Sequence, residues 1–341
     1  MRFFPLCLAF ACLTGAPAAR AAAPPLRVGM IGLDTSHAPA FTKLLNDPAA
    51  PEELAGCPVV VATPQGSPDL QASAARVGKF TQEVRDLGVE IVDTVDALVA
   101  KCDVVLLESV DGRVHLEQAL PVLRAGKPVF IDKPLAASLV DAVAIVEVAQ
   151  RRKVPLFSSS ALRFSPGVQA MRHGAQAGIG PVRHAETTGP CAHEPTHPDL
   201  FWYGIHGIEA LFTVMGPECT VVRRTQATAT ADEVQARWSG GRTGLFRGDV
   251  TGKAAFGGVV TGPQGERRLG EFGGYPPLVV EIVKFFRSGT PPVDPQETLA
   301  IMAFMAAADE SKHRDGAEVE LAGVLDQARR DAAARLAALG E

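Results

Sequence analysis

Cysteine is scarce in this chain of 341 residues: the six stand at positions 7, 12, 57, 102, 191 and 219, and none forms the C-x-x-C spacing of a structural zinc site. Long runs of lysine or arginine are missing too, against a formal net charge of -5, which excludes the electrostatic footprint of a nucleic-acid binder. No apolar run reaches the roughly 20 residues that a membrane-spanning helix requires. Internal repeats are absent. What is present is globular: 47% of residues are hydrophobic, 21% are charged, and the mean hydropathy is +0.12. That content supplies one large or two ordinary domains with real cores, and it leaves small neutral or anionic ligands open as partners.

The first two dozen residues read as a secretory signal. Arg2 is a minimal basic start, residues 3–13 are apolar, and Ala19-Arg20-Ala21 is an A-x-A cleavage site. A signal peptide over 1–21 is therefore expected, with a periplasmic or secreted product and no membrane span after cleavage. Removal of Arg2 and Arg20 makes the mature chain more acidic. No Arg-Arg pair precedes the apolar run, so export through the general, unfolded route is expected rather than the twin-arginine route. An oxidising compartment permits a disulfide, with Cys191 and Cys219 as the pair, but buried free thiols are the expectation.

From residue 25 to 157 short apolar runs alternate with helical stretches. Strands are expected over 26–32, 58–62, 89–92, 103–107, 128–131 and 154–157, and helices over 39–46, 71–87, 93–100, 114–125 and 138–152. Apolar strands without polar alternation mean a parallel sheet covered on both faces. The first domain is thus expected to be α/β, a Rossmann-like doubly wound nucleotide-binding fold. From 158 to 341 the strands become longer and alternate, over 182–188, 220–228, 234–238, 244–251 and 253–260. Such alternation belongs to a large, mostly antiparallel sheet with one wet face, in a second α+β domain. Its helices are expected over 165–177, 202–215, 277–287, 295–312 and 323–339.

Two motifs carry chemistry. Gly126-Lys127-Pro128-Val129-Phe130-Ile131-Asp132-Lys133-Pro134 places a lysine at the carboxyl end of a buried strand, where ligands bind in open α/β sheets. Gly204-Ile205-His206-Gly207-Ile208-Glu209 places a histidine on an otherwise apolar helix, with Glu209 on the same helix face. A histidine suits proton transfer because its ordinary pKa lies near neutrality. These motifs, in this order of halves, resemble the Gfo/Idh/MocA family of sugar and cyclitol oxidoreductases. Asp132 stands where that family usually has Glu in its E-K-P motif. The resemblance implies a bound NAD or NADP, a carbohydrate-type substrate, Lys133 near the nicotinamide and substrate, His206 as the acid/base, and a homo-oligomer. Ser109-Val110-Asp111-Gly112-Arg113-Val114-His115 is similar to the family's loop after the fourth strand, which adds His115.

The glycine turn departs from that pattern. A dinucleotide site needs G-x-G-x-x-G after the first strand. Here the stretch is Gly32-Leu33-Asp34-Thr35-Ser36-His37, with Asp34 and His37 in the second and third glycine positions. After the second strand, Thr63-Pro64-Gln65-Gly66-Ser67-Pro68-Asp69 offers no acidic residue at the strand tip for a ribose and no arginine for a 2'-phosphate. On the cofactor side the candidates are Gly32, Asp34, His37, Glu108, His115 and Asp132. An alternative follows from the same residues: a non-redox carbohydrate lyase, hydratase or epimerase without a dinucleotide. There Asp34, His37, Glu108, His206 and Glu209 would hold a divalent metal or move protons. A catalytically silent carbohydrate-binding protein is a third reading, since fold alone does not fix function. His193 and His197, in a proline-rich loop, are placed to roof the cleft.

Overall fold

The computed structural model describes residues 24–172 and 177–341. The signal peptide expected over 1–21 lies outside the described residues. The first half runs β1 Val28–Ile31, α1 His37–Asn46, β2 Val59–Thr63, α2 Gln71–Ala74, α3 Val77–Asp86, β3 Glu90–Ile91, α4 Val95–Val99, β4 Val104–Leu107, α5 His115–Arg124, β5 Val129–Ile131, α6 Leu139–Arg152 and β6 Leu156–Ser158. All six strands pair in parallel in the order β3-β2-β1-β4-β5-β6. β1, β4, β5 and β6 are buried at every residue, as a sheet with helices on both faces requires. The strand order reverses between β1 and β4, and that switch point opens a crevice at the carboxyl ends of the strands.

Local chemistry sets the helix starts. The hydroxyl of Thr94 accepts from Ala97 N and that of Ser138 from Asp141 N, each satisfying a donor the first turn leaves free. The single helix expected over 71–87 is two, α2 and α3. Ser73, in the first of them, is buried, accepts from Ser67 N and donates to Asp34, so this turn is pinned to the sheet.

The second half contains α7 Pro166–Arg172, β7 His184–Pro190, α8 Ile205–Met215, β8 Cys219–Ala227, β9 Ala231–Trp238, β10 Arg242–Asp249, β11 Gly257–Gly262, β12 Gly265–Arg268, α9 Pro276–Ser288, α10 Pro295–His313, β13 Val319–Glu320 and α11 Leu321–Ala338. Seven strands form a sheet in the order β12-β11-β7-β10-β9-β8-β13, antiparallel except for β10 on β7. The strict alternation of buried and less buried residues along β7 gives this sheet one packed face. Phe212 of α8, Trp238 and Phe304 of α10 meet there, with ring centroids 5.4 to 6.4 Å apart.

Two late helices return to the first sheet. Phe285 of α9 meets Phe157 of β6 edge-on at 5.0 Å, and α9 shares a core with β1, β4 and α1. α11 lies along α6. Cys57, Cys102, Cys191 and Cys219 are free and buried, and burial raises Cys102 to about 11 and Cys219 to about 12, so both remain thiols at neutral pH. No helix among the described residues is long and apolar enough to cross a membrane.

Candidate active site

β1 ends at Ile31, and Gly32 turns the chain with φ +86°; a Cβ there would lie 2.3 Å from the backbone nitrogen of Ser109, so only glycine fits. The turn then brings Asp34 inward. Its carboxylate accepts from Ser73 Oγ at 2.6 Å and from Val110 N at 2.9 Å, and it is buried. Burial pushes the Asp34 pKa up, and these two donors pull it back. Asp34 therefore staples the turn to α2 and to the loop after β4, and it does not join His37 as a metal ligand. Asp34→Ala strands a hydroxyl and an amide and is expected to cost about 1–3 kcal/mol. An unchanged midpoint in urea unfolding would contradict this role.

His37 begins α1 and faces the ends of β4 and β5. Its Nδ1 lies 3.0 Å from Asp132 Oδ2 and 3.6 Å from Glu108 Oε2. The ring stacks on Phe41 at 5.0 Å and meets Tyr275 edge-on at 4.8 Å. Burial alone would lower its pKa, but the Asp132 charge and the Glu108 oxygen raise it to about 9. Burial, and after it the charge of Asp132, pushes Glu108 up to about 7 against the pull of His37. For Asp132 burial works upward as well, yet the His37 and Lys133 charges hold it well below the usual carboxylate range.

One cleft of about 460 Å³ collects the reactive groups, lined by Ser36, His37 and Lys133 from the first half and by Ser160, Tyr203 and His206 from the second. Lys133 Nζ lies 3.7 Å from Asp132 Oδ2, and Asp132 Oδ1 accepts from Lys133 N. His206 Nδ1 is 2.7 Å from Ser160 Oγ, which also accepts from Leu162 N. Because a hydroxyl both donates and accepts, Ser160 supports either tautomer of the ring. Burial and then the charge of Lys133 hold the His206 pKa well below its ordinary value, so the ring is neutral at neutral pH.

Several expected site residues serve the frame instead. Glu209 does not enter the cleft: it accepts from Ser159 Oγ, Ser160 N and Arg163 Nε at 2.6 to 2.7 Å, which removes it from the metal candidates. His115 is fully buried, with its ring nitrogens against Leu135 O at 3.2 Å and Ser109 O at 2.8 Å, so it ties two loops and leaves no atom for a cofactor. Of the expected metal set Asp34, His37, Glu108, His206 and Glu209, only His37 and Glu108 converge, and Asp132 is the third residue with them. His193 is bonded to Asp232 at 2.6 Å, away from the cleft. His197 lies 3.2 Å from Asp111 and packs on Trp202 at 5.0 Å, joining the proline-rich loop to the first half.

Sequence reasoning passed over Ser160, Arg76 and Tyr275. Ser158-Ser159-Ser160 at the carboxyl end of a buried parallel strand was a signal, since polar residues there face the crevice. Arg76, exposed on the cleft between α2 and α3, carries no ion pair among the described residues. Asp69, past the tip of β2, pairs through both oxygens with Arg113 at 2.8 and 3.0 Å.

Residues 26–160 match the Gfo/Idh/MocA oxidoreductase family, described by its NAD-binding Rossmann fold. The chain is 28% identical over 171 residues to an inositol 2-dehydrogenase of Cereibacter sphaeroides, covering 48% of this chain and 46% of that one. It is 27% identical to a UDP-N-acetylglucosamine 3-dehydrogenase of Acidithiobacillus ferrooxidans, over 47% of this chain and 50% of that one. The chain thus spans about half the length of the curated relatives it matches. Among solved structures, the Lactobacillus casei myo-inositol dehydrogenase in complex with NAD(H) and myo-inositol superposes with a TM-score of 0.68 at 20% identity, over 87% of this chain and 96% of that one. That likeness carries the two-part fold, second sheet included, beyond the matched segment. The family match thus covers residues 26–160, and the likeness to the solved structure extends the fold, not the family, over the rest of the chain.

Proposed function

We propose that this protein is an NAD(P)-dependent oxidoreductase acting on a hydroxyl of a cyclitol or sugar derivative. The observation that carries the reading is the meeting of Lys133, at the end of β5, with a neutral His206, on α8, in one cleft at the carboxyl ends of a doubly wound sheet. The altered turn remains compatible with a dinucleotide. Gly32 keeps the tight turn after β1, the charge of Asp34 is turned away into Ser73 and Val110 N, and α1 starts on the cleft with no side chain capping it. Arg76 adds a positive charge on the same cleft.

When bound, the nicotinamide supplies the hydride acceptor or donor. The protein's part is positioning and proton transfer. His206, held through Nδ1 by Ser160, takes the hydroxyl proton on Nε2. The Lys133 ammonium steadies the oxygen as negative charge grows on it. Tyr203 and Phe256 meet the His206 ring edge-on at 4.9 and 5.6 Å and help to hold its plane.

Titration of purified protein with NAD(H) and NADP(H), followed by nicotinamide fluorescence and by mass spectrometry of any retained cofactor, tests the reading. Saturable binding of one of the two in the micromolar range is expected. No binding of either at millimolar concentration would sink it.

A further inference from the structure

We propose that His37, Glu108 and Asp132 form a binding site for one divalent cation of the zinc class, at the floor of the cleft. Three separate elements converge to make it: the first residue of α1, the residue after β4 and the residue after β5. One ligand atom from each lies within 4.8 Å of the others. In a tetrahedral site with bonds of roughly 2.0–2.1 Å, neighbouring ligand atoms are about 3.3 Å apart. The observed 3.0 and 3.6 Å from His37 Nδ1 to Asp132 Oδ2 and Glu108 Oε2 bracket that spacing.

The second observation is what these atoms lack. His37 Nδ1, both oxygens of Glu108 and Asp132 Oδ2 are buried and have no hydrogen-bond partner, although they are close to one another. A fully buried carboxylate with neither oxygen satisfied is costly unless something charged sits against it. Lys133 Nζ reaches Asp132 at 3.7 Å, and the His37 imidazole faces Glu108 with Nδ1 3.6 Å from Oε2, beyond hydrogen-bond distance, so both Glu108 oxygens stay without a hydrogen bond. A cation answers all four atoms at once. One imidazole and two carboxylates suit zinc or a neighbouring first-row ion. Lys133 N fixes Asp132 through its other oxygen, and Phe41 fixes the imidazole plane, as outer-shell contacts do in metal sites. Three protein ligands leave a fourth position for water or for an oxygen of the bound molecule, the pattern of a catalytic rather than a structural zinc site.

A second trio, Cys191, His193 and Asp232, has similar spacing. There Asp232 is already bonded to His193 and Arg224, so that trio lacks the unsatisfied oxygens and serves as the control. The proposal is independent of the dinucleotide reading, and its test separates the two. Full-length protein, stripped with a chelator, is titrated with Zn2+ by calorimetry with and without NAD+. One equivalent is expected to bind and to raise the melting temperature. Glu108→Gln is expected to weaken binding by more than the roughly 10–100-fold that loss of an outer-shell partner costs. Cys191→Ala should leave it unchanged. Where Glu108→Gln does not fold, Co2+ loaded into the unaltered chain decides: a visible band of tetrahedral Co2+ without thiolate charge transfer supports the site. Absence of saturable Zn2+ binding, a thiolate band, or binding that Cys191→Ala abolishes and Glu108→Gln spares would overturn it.

Discussion

His206→Ala is expected to lower kcat by about 10²–10⁴-fold, the range supplied by a positioned general acid or base. Three features of the site carry the expectation. The ring is anchored by Ser160 at 2.7 Å, so its Nε2 has a defined direction. Burial and the charge of Lys133 depress its pKa well below 6.5, so it is an empty base at neutral pH. It also shares the cleft with the lysine at the end of β5. The pH profile separates proton transfer from mere packing. The unprotonated ring exists above its pKa, so the acid limb of kcat/KM due to His206 lies below 6.5, and activity is lost as pH falls through it. Removing the positive neighbour in Lys133→Met relieves one cause of the depression, and the limb moves to higher pH. A limb that stays in place, with activity surviving His206→Ala, would remove His206 from the chemistry while leaving the dinucleotide site untouched.

The parallel sheet was legible because strands buried on both faces read as unbroken apolar runs, and Val28–Ile31, Val104–Leu107 and Val129–Ile131 are such runs. Lys133 and His206 were legible because each is a reactive group where the neighbours are apolar or turn-forming. Side-chain direction was not legible. Asp34 looked like a carboxylate facing the ligand, and its direction depends on Ser73, 39 residues later. Glu209 shares a helix face with His206, yet Arg163 and the Ser159–Ser160 loop draw it away from the cleft. Asp132 read as part of a strand-end motif, and only the fold brings it to His37, which precedes it by 95 positions. The packing of α9 on the first sheet had no local signal either, because an amphipathic helix does not state which face of which sheet it will cover.

Those long-range ties concentrate on Arg163, and its loss is expected to be the largest single cost to stability. The side chain is 0% exposed, with Nε 2.7 Å from Glu209 and Nη1 2.7 Å from Glu297. Arg163→Met leaves two buried carboxylates without their cation, a situation that costs about 3–5 kcal/mol. That is a large part of the roughly 5–15 kcal/mol by which folded domains are stable. Urea unfolding should show the midpoint fall by a corresponding amount. The cost lies in the stranded charges and not in the missing contact, since apolar or neutral replacements of a whole buried ion cluster are often tolerated. The triple variant Arg163→Met, Glu209→Gln, Glu297→Gln should therefore recover most of the loss. Activity should not recover with it. Glu209 also accepts from Ser160 N and Ser159 Oγ, and Ser160 is the residue that orients His206. A glutamine there keeps one acceptor where the carboxylate had two, so the triple variant is expected to fold while turning over more slowly. Full recovery of both would mean that the Arg163 cluster stabilises the fold without reaching the cleft.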